Sequence, residues 1–556
     1  MSFLDLKFFE NISIMFFFDH LQLLVLIFLA FHISSQTFRC PTEIELNKFD
    51  KEIDHYDSLL GQFLHHQQLS RWNRLISSPM EIIKNWNEIS KEFFETFRLW
   101  SIKNYRKYCR HYSQRLIDRC HHLNQTCGYL SKAIDFFNGE SRYDKNISNL
   151  IDLLQSKTIS LTIDHRSTKL DCQESLELDL MRIHSSSELR SIWIKCNRKL
   201  TNETINDLFQ TIRLRLIKLD QYRTLINEKK IFKALKLWKK LKALYDEVFR
   251  YLSKRLQEYY NDDDQLVGFE NESIPAYWLR SLTGTRFSAI ADLIIPYRNE
   301  SRTSSITFID VIRFYETIGF NQLPTRFWKR SSITYDHFCH PITMNLITFD
   351  DVRMRICLRE DGSEYDTNRL FHELGHVYYY YYRNNHTRRN LDKLEQNSII
   401  HESVGETIRL FWSGCQQQNG NDSTQTYRSR INRLMNEFLY SFVVIPYGIS
   451  LELWRYRIFY EMPTNVSVAE MNKEFWEIRS RIQRIENTSD DDDDLWSDHI
   501  SALLKYHTVN FIPYLQYVFS TILMHRFHSE ICRKSQKNWY FLADCCPNQE
   551  DLFEFR

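Results

Sequence analysis

The sequence predicts a mainly α protein: one large helical domain with a small β-hairpin or sheet beside one of its helices. Three observations lead there. Glycine (12) and proline (10) are scarce in 556 residues, which leaves helices few breakpoints and domains few linkers. Through most of the chain, apolar residues recur at three- and four-residue spacing with charges between them. β-Branched, partly alternating segments gather in one short region, about 332–357.

Taken in order, the first element is the apolar segment Leu21–Phe31, followed by His-Ile-Ser-Ser-Gln. Its length suits the apolar core of a signal peptide and is short for a membrane span. Residues 1–35 are therefore read as a signal peptide cleaved after Ser35, and 36–556 as the folded domain. Initiation at Met15 would give a more ordinary leader, and an uncleaved signal-anchor is the alternative. No later apolar run is read as approaching membrane length, so the mature chain is expected to be secreted, with no stable membrane span. Sequons at Asn124, Asn146, Asn202, Asn271, Asn299, Asn385, Asn421, Asn465 and Asn487 point to the same compartment. The 12 cysteines do too, with close pairs such as Cys120/Cys127 and Cys339/Cys357 and no C-x-x-C, as in local disulfide loops. With 72 basic against 71 acidic residues interspersed, there is no footprint for nucleic acid.

From Pro41 to about Asn261 amphipathic helices follow one another, for example Ile82–Phe97, Leu208–Ile226 and Lys230–Tyr260. Their apolar stripes are packing faces, and Lys254-Arg255 and similar clusters are solvated faces. Asn261–Asp264 breaks the pattern, and Ile274-Pro-Ala276 opens another helix. Ile333–Tyr335, Thr343–Thr348 and Val352–Cys357 read as a two- or three-stranded sheet, its arms stapled by Cys339 and Cys357. Such an edge could pair with extended substrate backbone. Asp366 stands where an N-cap would begin the next helix. From Leu391 the chain is helical again, interrupted by the acidic surface loop Asn487–Asp494.

The helix after Asp366 carries His372-Glu373-Leu-Gly-His376. Histidines four apart lie on one helix face, so both imidazoles can reach one Zn²⁺, while Glu373 can take a proton from a metal-bound water. The motif is short, so its weight depends on what the rest of the chain supplies. The tyrosines Tyr378–Tyr382 read as the buried continuation of the same helix. Glu402, 26 residues after His376, supplies a third ligand and leaves a fourth position open. Glu406, one turn on, could bond a ligand imidazole N–H and fix its tautomer. Lys505, His507, Tyr514 and Tyr517 cluster the donors wanted for a substrate carboxylate and a tetrahedral oxyanion.

These motifs, together with Cys339-His340-Pro341, Ile445-Pro-Tyr447, Trp454-Arg-Tyr456, Phe475–Arg479 and Phe527–Cys532, give a chain that resembles the angiotensin-converting enzyme family of gluzincin peptidases from about residue 40 to 546. The resemblance implies a helical ellipsoid with a deep central cleft and a lid of N-terminal helices, admitting short peptides with a free C-terminus. It implies one Zn²⁺ on His372, His376 and Glu402, and Glu373 as general base and then acid. His507 and Tyr517 would stabilise the oxyanion, Lys505 and Tyr514 would hold the peptide's terminal carboxylate, and His340 would contact substrate. Glu406 replaces a family Asp. Cys339–Cys357 matches a family disulfide, and Cys532 would pair with Cys545 or Cys546.

Departures from the family shape the expected activity. Its usual carboxylate-binding Gln falls near Thr285, and a one-residue shift would bring in Arg286, as in the branch that removes a single residue. Lys505 and Tyr514 match the branch that releases dipeptides, which is the activity expected. Gln516 and Asn197 stand where chloride-binding arginines would be, although Arg479 is kept, so strong chloride activation is not expected. Val444 and Thr521 replace aromatic pocket residues. Two other readings compete with this one: an inactive secreted binding protein on the same scaffold, and an oligopeptidase of the thimet type.

Overall fold

Long amphipathic helices carry the chain, as its apolar spacing requires. The computed structural model describes residues 43–75, 96–105, 109, 125, 127–134, 145–166, 168–172, 176–201, 203–260, 273–297, 307–335, 340–348, 350–358, 364–387, 389–394, 397–415, 423–487, 499–535 and 544–547. The leader, most of the Ile82–Phe97 helix, the Asn261–Asp264 break, Cys339 and nearly all of the acidic loop lie outside them. Of the sequons, Asn385 and Asn465 are exposed, whereas the side-chain amide of Asn487 is enclosed, which does not suit an attachment point.

The chain divides into two compact units, residues 1–58 with 91–135 and residues 59–90 with 136–556. Helix α1 (Glu43–Leu75) contains one boundary between them. In the first unit Tyr56 stacks with Phe97 and Trp100, and the Tyr129 hydroxyl donates to Asp57 (3.0 Å). Cys127 is bonded to Cys109, not to Cys120 as spacing suggested. The Cys109 N–H donates to the Tyr105 carbonyl (2.8 Å), and the two cysteine Cα atoms lie 5.6 Å apart, within disulfide reach.

The second unit includes the rest of α1 and continues with α2 (Lys145–Ile159) and the antiparallel hairpin β1 (Thr162–His165) and β2 (Thr168–Asp171). Then come α3 (Ser186–Arg198), α4 (Glu203–Lys218) and α5 (Glu228–Tyr260). The helix expected over Leu208–Ile226 is broken: α4 stops at Lys218, Asp220 takes φ 55°, and a separate turn, Tyr222–Leu225, follows. Ile274-Pro275 does not open a helix directly; it pairs in parallel with Ile485–Glu486 before a 3₁₀ turn at Ala276–Leu279.

After α6 (Phe308–Thr317), begun by a Thr307/Asp310 capping box, the predicted sheet has three strands. β3 (Ser332–Thr334) runs parallel to β5 (Val352–Cys357), which pairs antiparallel with β4 (Ile342–Asn345) on its other side. β4 ends earlier than expected because Ile347 adopts φ 72°, its N–H held by the Asn345 side chain (3.0 Å). Cys357 is disulfide-bonded. α7 (Glu364–His386) packs on β4 and β5. Asp366 lies inside its first turn instead of capping it, and its carboxylate accepts from Arg369 (3.1 Å), a favourable place for a negative charge. Tyr378 and Tyr380 are buried, but the tyrosine run winds outward to an exposed Tyr382.

The longer helices that follow are α8 (Ser398–Cys415), α9 (Ser423–Glu437), α10 (Val444–Tyr456), α11 (Val468–Gln483) and α12 (Leu515–Lys534). α10 is apolar on nearly all sides and sits among α5, α11 and α12. The continuous helical stretch Tyr427–Glu461 does reach membrane-spanning length and hydropathy, contrary to the sequence reading, but 72% of its apolar window is buried, as in a core helix. Cys415–Cys546 and Cys532–Cys545 tie the 544–547 segment to the ends of α8 and α12, which selects Cys545 as the partner of Cys532.

α7 and α8 touch backbone to backbone. A Cβ on Gly375 would lie 2.3 Å from the Gly405 Cα, and one on Gly405 would lie 2.3 Å from the Phe371 carbonyl. Neither obstacle is a flexible side chain. Gly375→Ala or Gly405→Ala is therefore expected to destabilise the fold by about 2–3 kcal/mol or more, measured by urea unfolding, while Gly128→Ala, whose Cβ meets nothing within 4 Å, changes it little.

Candidate active site

The α7–α8 contact brings His372, Glu373, His376, Glu402 and Glu406 together. Leu370, Phe371, Leu374 and Val377 bury one face of α7 against α6 and α8, and the Tyr315 hydroxyl donates to the Phe371 carbonyl (2.9 Å). His372 and His376 are left on the adjacent face. Their Nε2 atoms are 3.0 Å apart, and Glu402 Oε2 from α8 lies 3.4 Å from one and 3.7 Å from the other. Ligands at 2.0–2.2 Å around a tetrahedral zinc are about 3.4 Å apart, so these donor atoms fit one ion. The buried Glu402 Oε2 accepts no hydrogen bond, a state a cation would relieve.

Each donor is set by its surroundings. Burial alone would lower His372, but Glu406 bonding its Nδ1 (3.3 Å) and the charges of Glu402, Glu406 and Glu373 raise it to about 9. His376 is driven well down by burial and by His401 and His372. Burial raises Glu402 to about 7 against the pull of His372. Glu406 runs the other way: despite burial, Arg409, His372 and Arg286 hold it well below the usual carboxylate range. Arg409 Nε donates to it at 2.8 Å, Arg286 approaches to 3.6 Å, and both guanidinium groups lie against the Tyr440 ring. Kept ionised, Glu406 can hold a proton on His372 Nδ1, which makes Nε2 the atom that would be offered to a metal ion.

Glu373 is also buried, and burial raises its pKa against His372 and a hydrogen bond from Thr343. The Thr343 hydroxyl on β4 donates to Glu373 Oε2 at 2.5 Å, so the sheet aims this carboxylate. Facing the set is the 505–514 loop with the start of α12. His507 Nε2 is 2.9 Å from the Tyr517 hydroxyl, and Lys505 Nζ lies over the Tyr514 ring at 5.6 Å. His340 stacks on Tyr506 at 4.2 Å and meets His507 edge-on at 6.3 Å. Burial and the nearby Lys505 keep His507 neutral, and burial holds the Tyr517 proton firmly.

A small cavity adjoins the donors, lined by Arg286, His372, Glu402, Val444, Tyr517 and Thr521 among others. Arg286 opens on it, whereas Thr285 is buried with its hydroxyl against Thr283 (2.8 Å). Gln516 donates to Glu402 Oε1 (3.4 Å), and Arg479 is buried among Trp476, Tyr447 and Phe475. Asp366 accepts a hydrogen bond from Arg369 (3.1 Å) within the first turn of α7.

Residues that motif reading left without a role hold this arrangement. His401 stacks on His376 at 3.9 Å. Buried Glu452 and Arg455 on α10 pair at 2.8 Å and peg the 505–514 loop by its backbone. Glu452 accepts the Tyr514 N–H (2.6 Å), and Arg455 donates to the carbonyls of His507 (2.7 Å) and Ile512 (2.6 Å). Thr343 and Glu452 carry no pattern that distinguishes them in sequence; Arg409, one turn after Glu406, could have been suspected from the i,i+3 rule.

A helical fold with a His, His, Glu set and an adjacent buried glutamate defines a class, the metallopeptidases whose zinc ligands come from two helices. The chain belongs to the angiotensin-converting enzyme family: the peptidase M2 model, described as angiotensin-converting enzyme, matches residues 43–551. That family is zinc-dependent. Similar curated proteins include the angiotensin-converting enzyme of Haematobia irritans exigua (25% identical, covering 53% of this chain and 50% of the relative). Others are the angiotensin-converting enzyme-related protein of Drosophila melanogaster (24%; 70% and 65%) and the angiotensin-converting enzyme of Bos taurus (24%; 54% and 24%). The matched stretches thus cover less than two thirds of each relative's length.

Removing Arg455 alone strands a buried carboxylate. Arg455→Met is expected to lower stability by about 3–5 kcal/mol in chemical denaturation, and Glu452→Leu combined with Arg455→Met to recover much of it. Full stability in the single variant would refute the pegging role.

Proposed function

We propose that the chain is a secreted zinc peptidyl-dipeptidase that releases dipeptides from the free C-terminus of short peptides, with residues 1–35 a signal peptide and 36–556 the peptidase domain. The observation that carries the reading is the convergence of His372 Nε2, His376 Nε2 and Glu402 Oε2 within 3.0–3.7 Å, with Glu373 beside them. These three would hold zinc, which supplies Lewis acidity at the scissile carbonyl and makes a water easier to deprotonate. Glu373, its Oε2 aimed by Thr343, takes the water's proton and passes it to the leaving amine; burial raises its proton affinity toward what a general base-acid needs. Tyr517, which keeps its proton, donates to the developing oxyanion beside neutral His507. Lys505 and Tyr514 bind the terminal carboxylate, and His340 meets the substrate backbone. With Gln516 turned to Glu402 where an anion-binding cation would be needed, chloride dependence is expected to be weak.

A second reading, removal of a single residue, is favoured by one observation: Arg286 lines the cavity next to His372 and Glu402. Mass analysis of products from a peptide with a free C-terminus separates the two. Dipeptide release abolished by a chelator and restored by zinc is expected; single-residue release would favour Arg286 as anchor, and no chelator-sensitive release would sink both. Glu373→Gln should keep zinc stoichiometry while lowering kcat by about 10²–10⁴-fold.

A further inference from the structure

We propose that the N-terminal half of α5 is a docking surface for a linear sulfated polysaccharide. Seven lysines fall within residues 229–242, a stretch that contains no acidic residue, in a chain whose formal charge is only +1. Lys229, Lys233, Lys236 and Lys240 are all exposed and recur at i, i+4, i+7 and i+11, which aligns them in one stripe about 16 Å long. Lys230 and Lys239 flank it, also exposed.

The second half of the same helix shows what an ordinary solvated charged face looks like. There Arg250 pairs with Glu247, and Lys254 and Arg255 with Glu258. Among the described residues none of the six lysines in the first half has a carboxylate partner; Lys242, outside the stripe, pairs with Asp246. Lys233 lies over the Phe519 ring (5.9 Å), which neutralises nothing. Like charges at i,i+3 and i,i+4 each destabilise a helix by a few tenths of a kcal/mol, and Lys229 and Lys230 also sit at its positive end. A row of anionic groups would relieve both penalties.

The partner's class follows from the rest of the helix. Its apolar face, including Ile231, Ala234, Trp238 and Tyr245, is buried in the core, so α5 cannot lie in a membrane as an interfacial helix does. Exposed Phe232 and Leu244 flank the stripe on opposite sides and form no continuous apolar strip. The disulfides fit an extracellular protein, where the abundant straight polyanions are sulfated glycans.

The test compares the intact protein with a Lys229→Gln, Lys233→Gln, Lys236→Gln, Lys240→Gln variant on immobilised heparin and on phosphatidylserine vesicles. Arg250→Gln, Lys254→Gln, Arg255→Gln, Lys195→Gln serves as a control with the same charge change. Intact protein and control should be retained on heparin, and the stripe variant should bind about tenfold or more weakly at physiological salt, with a shallower salt dependence. Its melting temperature should not fall, because like-charge repulsion is removed. Equal elution of stripe variant and intact protein, equal loss in the control, or tighter binding to vesicles than to heparin would each overturn the proposal.

Discussion

The contact of two bare backbones at Gly375 and Gly405 is the constraint on which the rest of the site depends. Helices with side chains at their crossing usually keep their axes about 8–10 Å apart, whereas glycines facing each other let two helices approach more closely. His372 lies one turn before Gly375, and Glu402 one turn before Gly405, so the donors leave their helices next to the closest approach. α6 packs the outer face of α7, and α12 packs against α8. The disulfides of the 544–547 segment hold the ends of α8 and α12, including the Gly414 contact with the Cys545 carbonyl.

Close packing of helices forces charge indoors, and the structure settles that charge in two ways. Glu406 is a carboxylate buried between two guanidinium groups, which keeps it ionised where an isolated one would take up a proton. Glu452 and Arg455 form a pair whose spare donors and acceptors are spent on a loop backbone, so their burial is matched by hydrogen bonds to groups that would otherwise lack partners. The first device orients a histidine through its far nitrogen; the second fixes where His507 and Tyr514 stand.

How much of this was legible in the sequence follows from the range of each interaction. The helices, the three short strands and the His372, His376, Glu402 and Glu406 set were readable because each rests on local spacing. The split of Leu208–Ile226 was not, because it turns on the single left-handed residue Asp220, which apolar periodicity does not register. Thr343 and the Glu452–Arg455 pair act across 30 to 62 residues and have no local signature. The Cys109–Cys127 bond joins cysteines 18 residues apart, a pairing that close spacing to Cys120 does not suggest.

The two sides of the site are therefore secured by different devices, and this bears on what the motif can say about specificity. The metal set depends on the α7–α8 crossing, while Lys505 and Tyr514 depend on the pegged loop. Arg286 touches the metal side through Glu406 (3.6 Å) and also donates to the Tyr440 carbonyl (3.0 Å) in the π-helical turn Phe438–Phe442 that leads into α10. Small residues at Val444 and Thr521 line the same cavity as Arg286. Under the proposed function, a change in the grip on a peptide's end can occur at Val444 and Thr521, which line the cavity without being among the donors. The His-Glu-x-x-His helix consequently carries information about hydrolysis but none about how many residues leave.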